Sequence, residues 1–169
     1  MKENIAVIGG GQMGSQIAAL AAMAGYKTGL YDENKDNLDY RYKFVEENIK
    51  NLIDKKIYNK NKLDAYKQNL ELNYSLENVI KDKTFIIEAV VEKYEVKLEI
   101  FQKISNILDE KVVMATNSSF IQASEISRPW SRELEKCCDS RCFLLQFLKQ
   151  FVKFRQHFMV IVAENLSLI

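Results

Sequence analysis

The chain has 169 residues, 47% hydrophobic and 28% charged, enough for one packed core and unlike a disordered or fibrous protein. Its 24 basic and 23 acidic side chains leave a net charge of +1, so bulk charge offers no grip on nucleic acid. No run reaches the roughly 18 uncharged apolar residues of a membrane span, and the start, MKENIAVIGG, enters a strand pattern directly, which points to a cytoplasmic protein without a signal peptide.

In chain order, Asn4 to Ile8 is a short β-branched apolar run ended by three glycines, the pattern of a buried strand. Met13, Ile17, Leu20, Ala21 and Ala24 then recur at helical spacing from Gln12 to Ala24, and Gly25 stands where a left-handed residue closes a helix. Lys27 to Tyr31 is a second strand. Asn34 to Ile57 is a long helical pattern with Leu38, Tyr42, Val45, Ile49 and Leu52 on one face and a charged, solvated face opposite. A shorter helix fits Lys62 to Leu72, with a short strand between Leu70 and Tyr74. Thr84 to Val91 is a strand-like run suited to a sheet covered on both faces. Tyr94 to Leu108 follows as a helix with Val96, Ile100, Phe101, Ile104 and Leu108 inward, and Val112 to Ala115 is a last buried strand. Strand and helix in alternation argue an α/β fold, a doubly wound parallel sheet with right-handed crossovers.

The rare residues divide the chain. All six glycines lie within the first 29 positions, whereas the one Pro, the one Trp, the one His and the three Cys all lie after residue 127. Residues 1–127 carry 17 basic and 19 acidic side chains, and residues 128–169 carry 7 and 4, with four of the five arginines. The expected organisation is therefore a domain over 1–127 and a divergent, partly helical tail over 128–169. Cys137, Cys138 and Cys142 contain no C-x-x-C pair and fit reduced thiols better than metal ligands.

The chemistry-bearing motif is Gly9-Gly10-Gly11-Gln12-Met13-Gly14, a G-x-G-x-x-G between a predicted strand and a predicted helix. The first glycine permits the tight turn, the second lets backbone approach a pyrophosphate, and the third lets helix and strand pack closely. The helix start offers unpaired N–H groups to phosphate. Asp32 ends the second strand, 21 residues past Gly11, where a carboxylate accepts from adenosine ribose hydroxyls. With Glu33 beside it and no Arg near, it repels a ribose 2′-phosphate, which favours NAD over NADP in a Rossmann-type domain. FAD or another nucleotide is the other ligand class such a loop accommodates.

In order and spacing, IAVIGGGQMGSQIA, YDEN, IIEAVVEKYEVKLEIF and VVMATNSSFIQASEI resemble the NAD-binding domain of the 3-hydroxyacyl-CoA dehydrogenases, including bacterial 3-hydroxybutyryl-CoA dehydrogenases, over about residues 3–127. The resemblance implies that Gly9, Gly11 and Gly14 line the pyrophosphate loop, with Gln12 and Met13 at the helix start and Asp32 on the adenosine ribose. It implies that Ala89 and Val90 pass the cofactor, and that Glu92 and Lys97 lie near the nicotinamide-side ribose and phosphate. It implies further that Asn117 and Ser119 face the nicotinamide, with Ser119 the catalytic hydroxyl on the substrate oxygen. The family's A-T-N-T-S-S-L reads A-T-N-S-S-F here, which puts Ser118 at the Thr and Phe120 at the second Ser. Two plainer readings stand beside these. Glu92, Glu95 and Lys97 also suit a solvated helix start, and Ser118, Ser119 and Gln122 suit the cap of a following helix.

The family activity so implied is oxidation of an (S)-3-hydroxyacyl-CoA by NAD, with a His as base and a Glu orienting it. Neither is expected here: position 140 is Ser, no H-F-F-N-P segment occurs, and His157, 38 residues past Ser119, fits a surface or partly buried histidine. A counterpart of the family's C-terminal helical domain, which closes over the acyl-CoA and makes most dimer contacts, is not expected in these residues either. Phe143, Phe147, Phe151, Phe154 and Phe158 form a helical stripe suited to a core, to a membrane surface, or to a homo-oligomer or partner helix. A truncated or out-of-frame remainder of a longer gene is a further reading of the tail. The expected function is an NAD-binding oxidoreductase domain of fatty-acid or butanoate metabolism, acting on acyl-CoA by resemblance and weakly active or inactive alone. The alternative is an NAD-binding regulatory module or remnant without turnover.

Overall fold

The apolar run at the start of the chain becomes the centre of a parallel sheet, because only a strand covered on both faces can bury every side chain. A computed structural model describes residues 4–108, 112–118, 121 and 123–126, all within the unit Met1–Arg132. Its elements are β1 (Asn4–Ile8), α1 (Gln12–Met23), β2 (Lys27–Tyr31), α2 (Lys35–Asp54), α3 (Lys60–Asn69), β3 (Leu70–Asn73), α4 (Leu76–Ile80), β4 (Phe85–Glu88), α5 (Tyr94–Ser105), β5 (Val113–Thr116) and α6 (Ala123–Ile126). The strands stand in the order β3-β2-β1-β4-β5, all parallel, so the chain winds outward on one side of β1 and then on the other. This is the doubly wound, Rossmann-type arrangement, with its switch point between β1 and β4.

Alternation along β1 sends Ala6 and Ile8 into a core with Ile86 of β4, Val79 and Ile80 of α4, and Phe101 and Ile104 of α5. Ile5 and Val7, equally buried, point to the opposite face. Each such aliphatic side chain contributes roughly 1.5–3 kcal/mol on burial. The inward residues of α2 are Leu38, Val45, Ile49 and Leu52, while Tyr42 is half-buried and stacks on Tyr66 of α3 at 5.0 Å between ring centroids. Among the described residues, no helix is long and apolar enough to cross a membrane.

Several boundaries differ from the sequence expectations. The strand expected over Thr84–Val91 stops at Glu88, because Val90 N–H turns back to the Glu88 side chain, donating to Oε1 at 2.8 Å. The helix expected to reach Leu72 ends at Asn69, since Leu70 pairs with Thr28 in the sheet. α2 stops at Asp54 rather than Ile57, with Lys56 in the left-handed region at φ 61°, and α5 stops at Ser105 rather than Leu108. β5 sits one residue later than expected, so that Thr116 pairs with Glu88. α4 was not expected at all: five residues capped by Ser75, whose Oγ accepts from Asn78 N–H at 3.3 Å, are too few to show a period. The boundary expected at residue 127, the cysteines and the phenylalanine stripe lie outside the described residues.

The glycine loop works by exclusion. A Cβ on Gly14 would stand 1.8 Å from the Gly9 carbonyl oxygen, and one on Gly9, at φ +110°, would stand 2.6 Å from that of Ala89. Both neighbours are backbone and cannot rotate away. Gly14→Ala is therefore expected to cost at least about 3 kcal/mol in urea denaturation through overpacking.

Tyr66 supplies a pH test. It is fully buried and donates its hydroxyl to the Tyr42 carbonyl at 2.9 Å, and burial pushes its phenol well above its ordinary value of 10.0. The folded state thus keeps a proton that the unfolded chain releases above that value. The stability this contributes is complete below pH 10.0 and declines as pH rises beyond it. Tyr66→Phe should flatten the alkaline loss in a pH series of denaturation curves.

Candidate functional site

At the carboxyl ends of the strands, across the switch point, the loops after β1 and β4 part to form a cleft of about 1070 Å³. Of the residues singled out from the sequence, Gly9, Gly11, Gln12, Met13, Asp32, Ala89, Val90, Glu92 and Asn117 line it. Gly14 does not, being packed on the Gly9 carbonyl, and Lys97 stands behind the wall rather than on it. Ser119 lies outside the described residues, as do Phe120, Gln122 and His157.

One end of the cleft presents unpaired backbone donors. Gly11 is the N-cap of α1 and has no side chain to cap it, and the helix ladder begins with Ser15 N–H on the Gly11 carbonyl at 3.0 Å. The N–H groups of Gln12, Met13 and Gly14 consequently have no acceptor within the helix, and the positive end of the helix dipole faces the same space. A Cβ placed on Gly11 meets nothing within 4 Å. That combination of free donors and empty volume fits phosphate oxygens.

Asp32 has two duties. Its Oδ2 accepts from Gly10 N–H at 2.7 Å and its Oδ1 from Asn34 N–H at 2.8 Å, so the carboxylate braces the glycine loop and the start of α2. A carboxylate has about four lone-pair positions, which leaves capacity toward the cleft that Asp32 lines. Around it the cleft is acidic. Glu33, Glu77 and Glu99 share this end, and the one cation among the described residues lining it, Lys103, is held by Glu99 at 2.7 Å. Burial, with Glu33 adding to it, pushes the Tyr31 phenol at this end above its ordinary value.

At the other end a ring of hydrogen bonds fixes the wall. Lys97 is only 1% exposed, and its ammonium donates to Glu88 Oε1 at 2.8 Å, to Glu88 Oε2 at 3.0 Å and pairs with Glu92 Oε2 at 3.1 Å. Glu88, fully buried, also accepts from Thr116 Oγ1 at 2.6 Å, and Thr116 Oγ1 in turn accepts from Ser118 N–H at 3.1 Å. Ser118 Oγ donates to Glu92 Oε1, which closes the circuit. The same Ser118 oxygen accepts from Ile121 N–H at 2.9 Å, a bond within the loop ahead of α6 (Ala123–Ile126) rather than a cap on that helix. The sequence reading missed Glu88, although an acid inside an apolar strand run must find a cation and hydrogen bonds once buried. Lys97 belongs neither to a solvated helix start nor to the cleft surface.

A family model described as "3-hydroxyacyl-CoA dehydrogenase, NAD binding domain" matches residues 4–139. The chain is 29% identical over 136 residues to the mitochondrial hydroxyacyl-coenzyme A dehydrogenase of Rattus norvegicus, covering 78% of this chain and 43% of the relative. It is 28% identical over 130 residues to a 3-hydroxybutyryl-CoA dehydrogenase of Bradyrhizobium diazoefficiens, covering 77% and 44%. The crystal structure of (S)-3-hydroxybutyryl-CoA dehydrogenase from Ralstonia eutropha superposes with a TM-score of 0.73 over 78% of this chain and 46% of that one, and at 24% identity the likeness is one of fold. The chain thus spans less than half the length of the curated relatives it matches. The rat relative is mitochondrial by name, so this similarity does not carry a cytoplasmic location with it.

The buried pair at the end of the cleft has a direct stability test. Lys97→Met leaves the Glu88 carboxylate buried without a cation and is expected to cost about 3–5 kcal/mol in chemical denaturation. Replacing both partners, as Lys97→Met with Glu88→Leu, should recover much of that loss.

Proposed function

Because the chain belongs to the family of 3-hydroxyacyl-CoA dehydrogenase NAD-binding domains, we propose that it holds NAD along the described cleft and supplies the cofactor half of an (S)-3-hydroxyacyl-CoA dehydrogenase. The observation that carries this reading is the cradle at Gly11: open volume at an uncapped helix start, with a braced carboxylate, Asp32, beside it. In this reading the N–H groups of Gln12 and Met13 bind the diphosphate, and Asp32 accepts from the adenosine ribose. Ala89 and Val90 run along the cofactor's middle, and Glu92 and Asn117 border its nicotinamide end. The acidic side chains around Asp32, with no Arg among the described residues of the cleft, disfavour a 2′-phosphate and hence NADP.

Bound NAD would supply a hydride acceptor for C3 of a 3-hydroxyacyl-CoA. The chain's own share is to bind and orient that acceptor. Proton removal from the substrate hydroxyl needs a base, and the only histidine of these 169 residues, His157, lacks the sequence context of the family's base. General-base assistance contributes typically about 10²–10⁴-fold, so these residues alone are assigned cofactor binding with little or no turnover. In this reading Ser119 would touch the substrate oxygen, and acyl-CoA is the substrate class.

Two measurements test this. NADH fluorescence titration of the chain, followed by acetoacetyl-CoA addition, should show saturable binding without loss of NADH absorbance. Absence of binding overturns the cofactor assignment, and turnover overturns the division of labour. Gly11→Val separates cradle from fold. Gly11 already has φ −64°, so the change should stay within about 1 kcal/mol of the parent in stability. Its side chain would occupy the phosphate volume and weaken NADH by about tenfold or more.

A further inference from the structure

The residues lining the nicotinamide end, Glu92 and Asn117, are both held from behind by atoms that never reach the cleft. Resting on the cofactor reading above, we propose that Glu88 is a positioning residue for the nicotinamide half of the site, acting through Lys97 and Thr116. Its bonds gather at that half and reach no further than the cofactor's middle, at Val90. Through Oε1 it takes Val90 N–H at 2.8 Å, fixing the turn by which the chain leaves β4 along the cleft. Through its carbonyl it takes Asn117 N–H at 2.8 Å, and through Oε2 it takes the Thr116 hydroxyl at 2.6 Å, fixing the exit of β5. Through Lys97, whose three N–H groups are all committed, it sets Glu92, and Glu92 holds Ser118.

Glu88 is thus tied to both segments that border this end, its side chain to Val90 N–H and the Thr116 hydroxyl and its backbone carbonyl to Asn117 N–H. None of its contacts reaches the Gly11 cradle or Asp32, where the diphosphate and adenosine ribose are assigned. Loosening the ring should therefore leave one half of a dinucleotide gripped and release the other. A buried carboxylate is well suited to the task, since in a low-dielectric surrounding each charge-assisted bond is short and directional, and the ring has one satisfied arrangement.

The test compares NADH with ADP-ribose, which lacks only the nicotinamide, by calorimetric titration of the full chain. In the parent protein NADH should bind more tightly than ADP-ribose. Thr116→Val, which removes one positioned hydrogen bond, and Glu88→Gln, which removes at least two, should each weaken NADH by about fivefold or more, while ADP-ribose stays within about twofold. Thr116→Ser, which keeps the hydroxyl, should behave like the parent. If Glu88→Gln fails to fold, Thr116→Val decides the matter, since it removes the hydroxyl at nearly constant volume. Equal losses for both ligands, or no loss for either, would overturn the proposal and leave the ring as a structural brace. NADH binding no tighter than ADP-ribose in the parent would also overturn it, with the cofactor reading intact. Failure of the parent to bind either ligand would instead overturn the cofactor reading, and this inference with it.

Discussion

Everything at the mouth of the sheet depends on three backbone segments brought closer than any side chain would allow. The turn after β1, the first turn of α1 and the exit of β4 meet where a Cβ on Gly14 would lie 1.8 Å from one carbonyl oxygen and a Cβ on Gly9 would lie 2.6 Å from another. That proximity puts the uncapped N-terminus of α1 at the switch point between β1 and β4. The fit of that place to phosphate oxygens comes from geometry more than from any acidic or basic side chain: the donors are peptide N–H groups and the volume is a missing Cβ.

The two ends of the cleft are organised on different physical grounds. Near Asp32 the fixing atoms are exposed or half-buried and the surroundings are acidic. That arrangement discriminates by repulsion and tolerates solvent. At the β4 and β5 ends the fixing atoms are buried, and opposite charges are matched one against another. Glu88 and Lys97 in that interior are stable only as a pair with every remaining bond made, so the wall they support has little freedom to drift. The sheet makes the matching possible, because parallel register sets Glu88 beside Thr116 and α5 returns Lys97 over both.

The family assignment and this geometry meet at the cofactor. The described residues put an uncapped helix start beside a braced carboxylate, in a stretch that matches an NAD-binding domain. The relatives are more than twice as long as the stretch they share with it, and that stretch is the one that matches the NAD-binding domain model.

The glycine loop, Asp32 and the alternation of β1, α1 and β2 were legible because each depends on local chemistry: φ, capping, periodicity and one fixed distance along the chain. α2, α3 and α5 were legible to within a turn for the same reason. The end of β4 was not, because Ile86, Ile87, Ala89, Val90 and Val91 look alike in sequence, and only the turn of Val90 N–H onto the Glu88 side chain ends the strand. α4 was hidden by its shortness. Glu92 and Lys97 could be picked out as a pair, but not that one borders the cleft while the other is buried behind it. Exposure is decided by what packs from elsewhere in the chain, here β4, β5 and the Thr116–Ser118 segment. The sequence by itself thus determined the fold class, the cradle and the cofactor type. Only the tertiary structure made Glu88 the centre of the far wall, because a buried charge has meaning only through partners that residues 9 and 28 positions away bring to it.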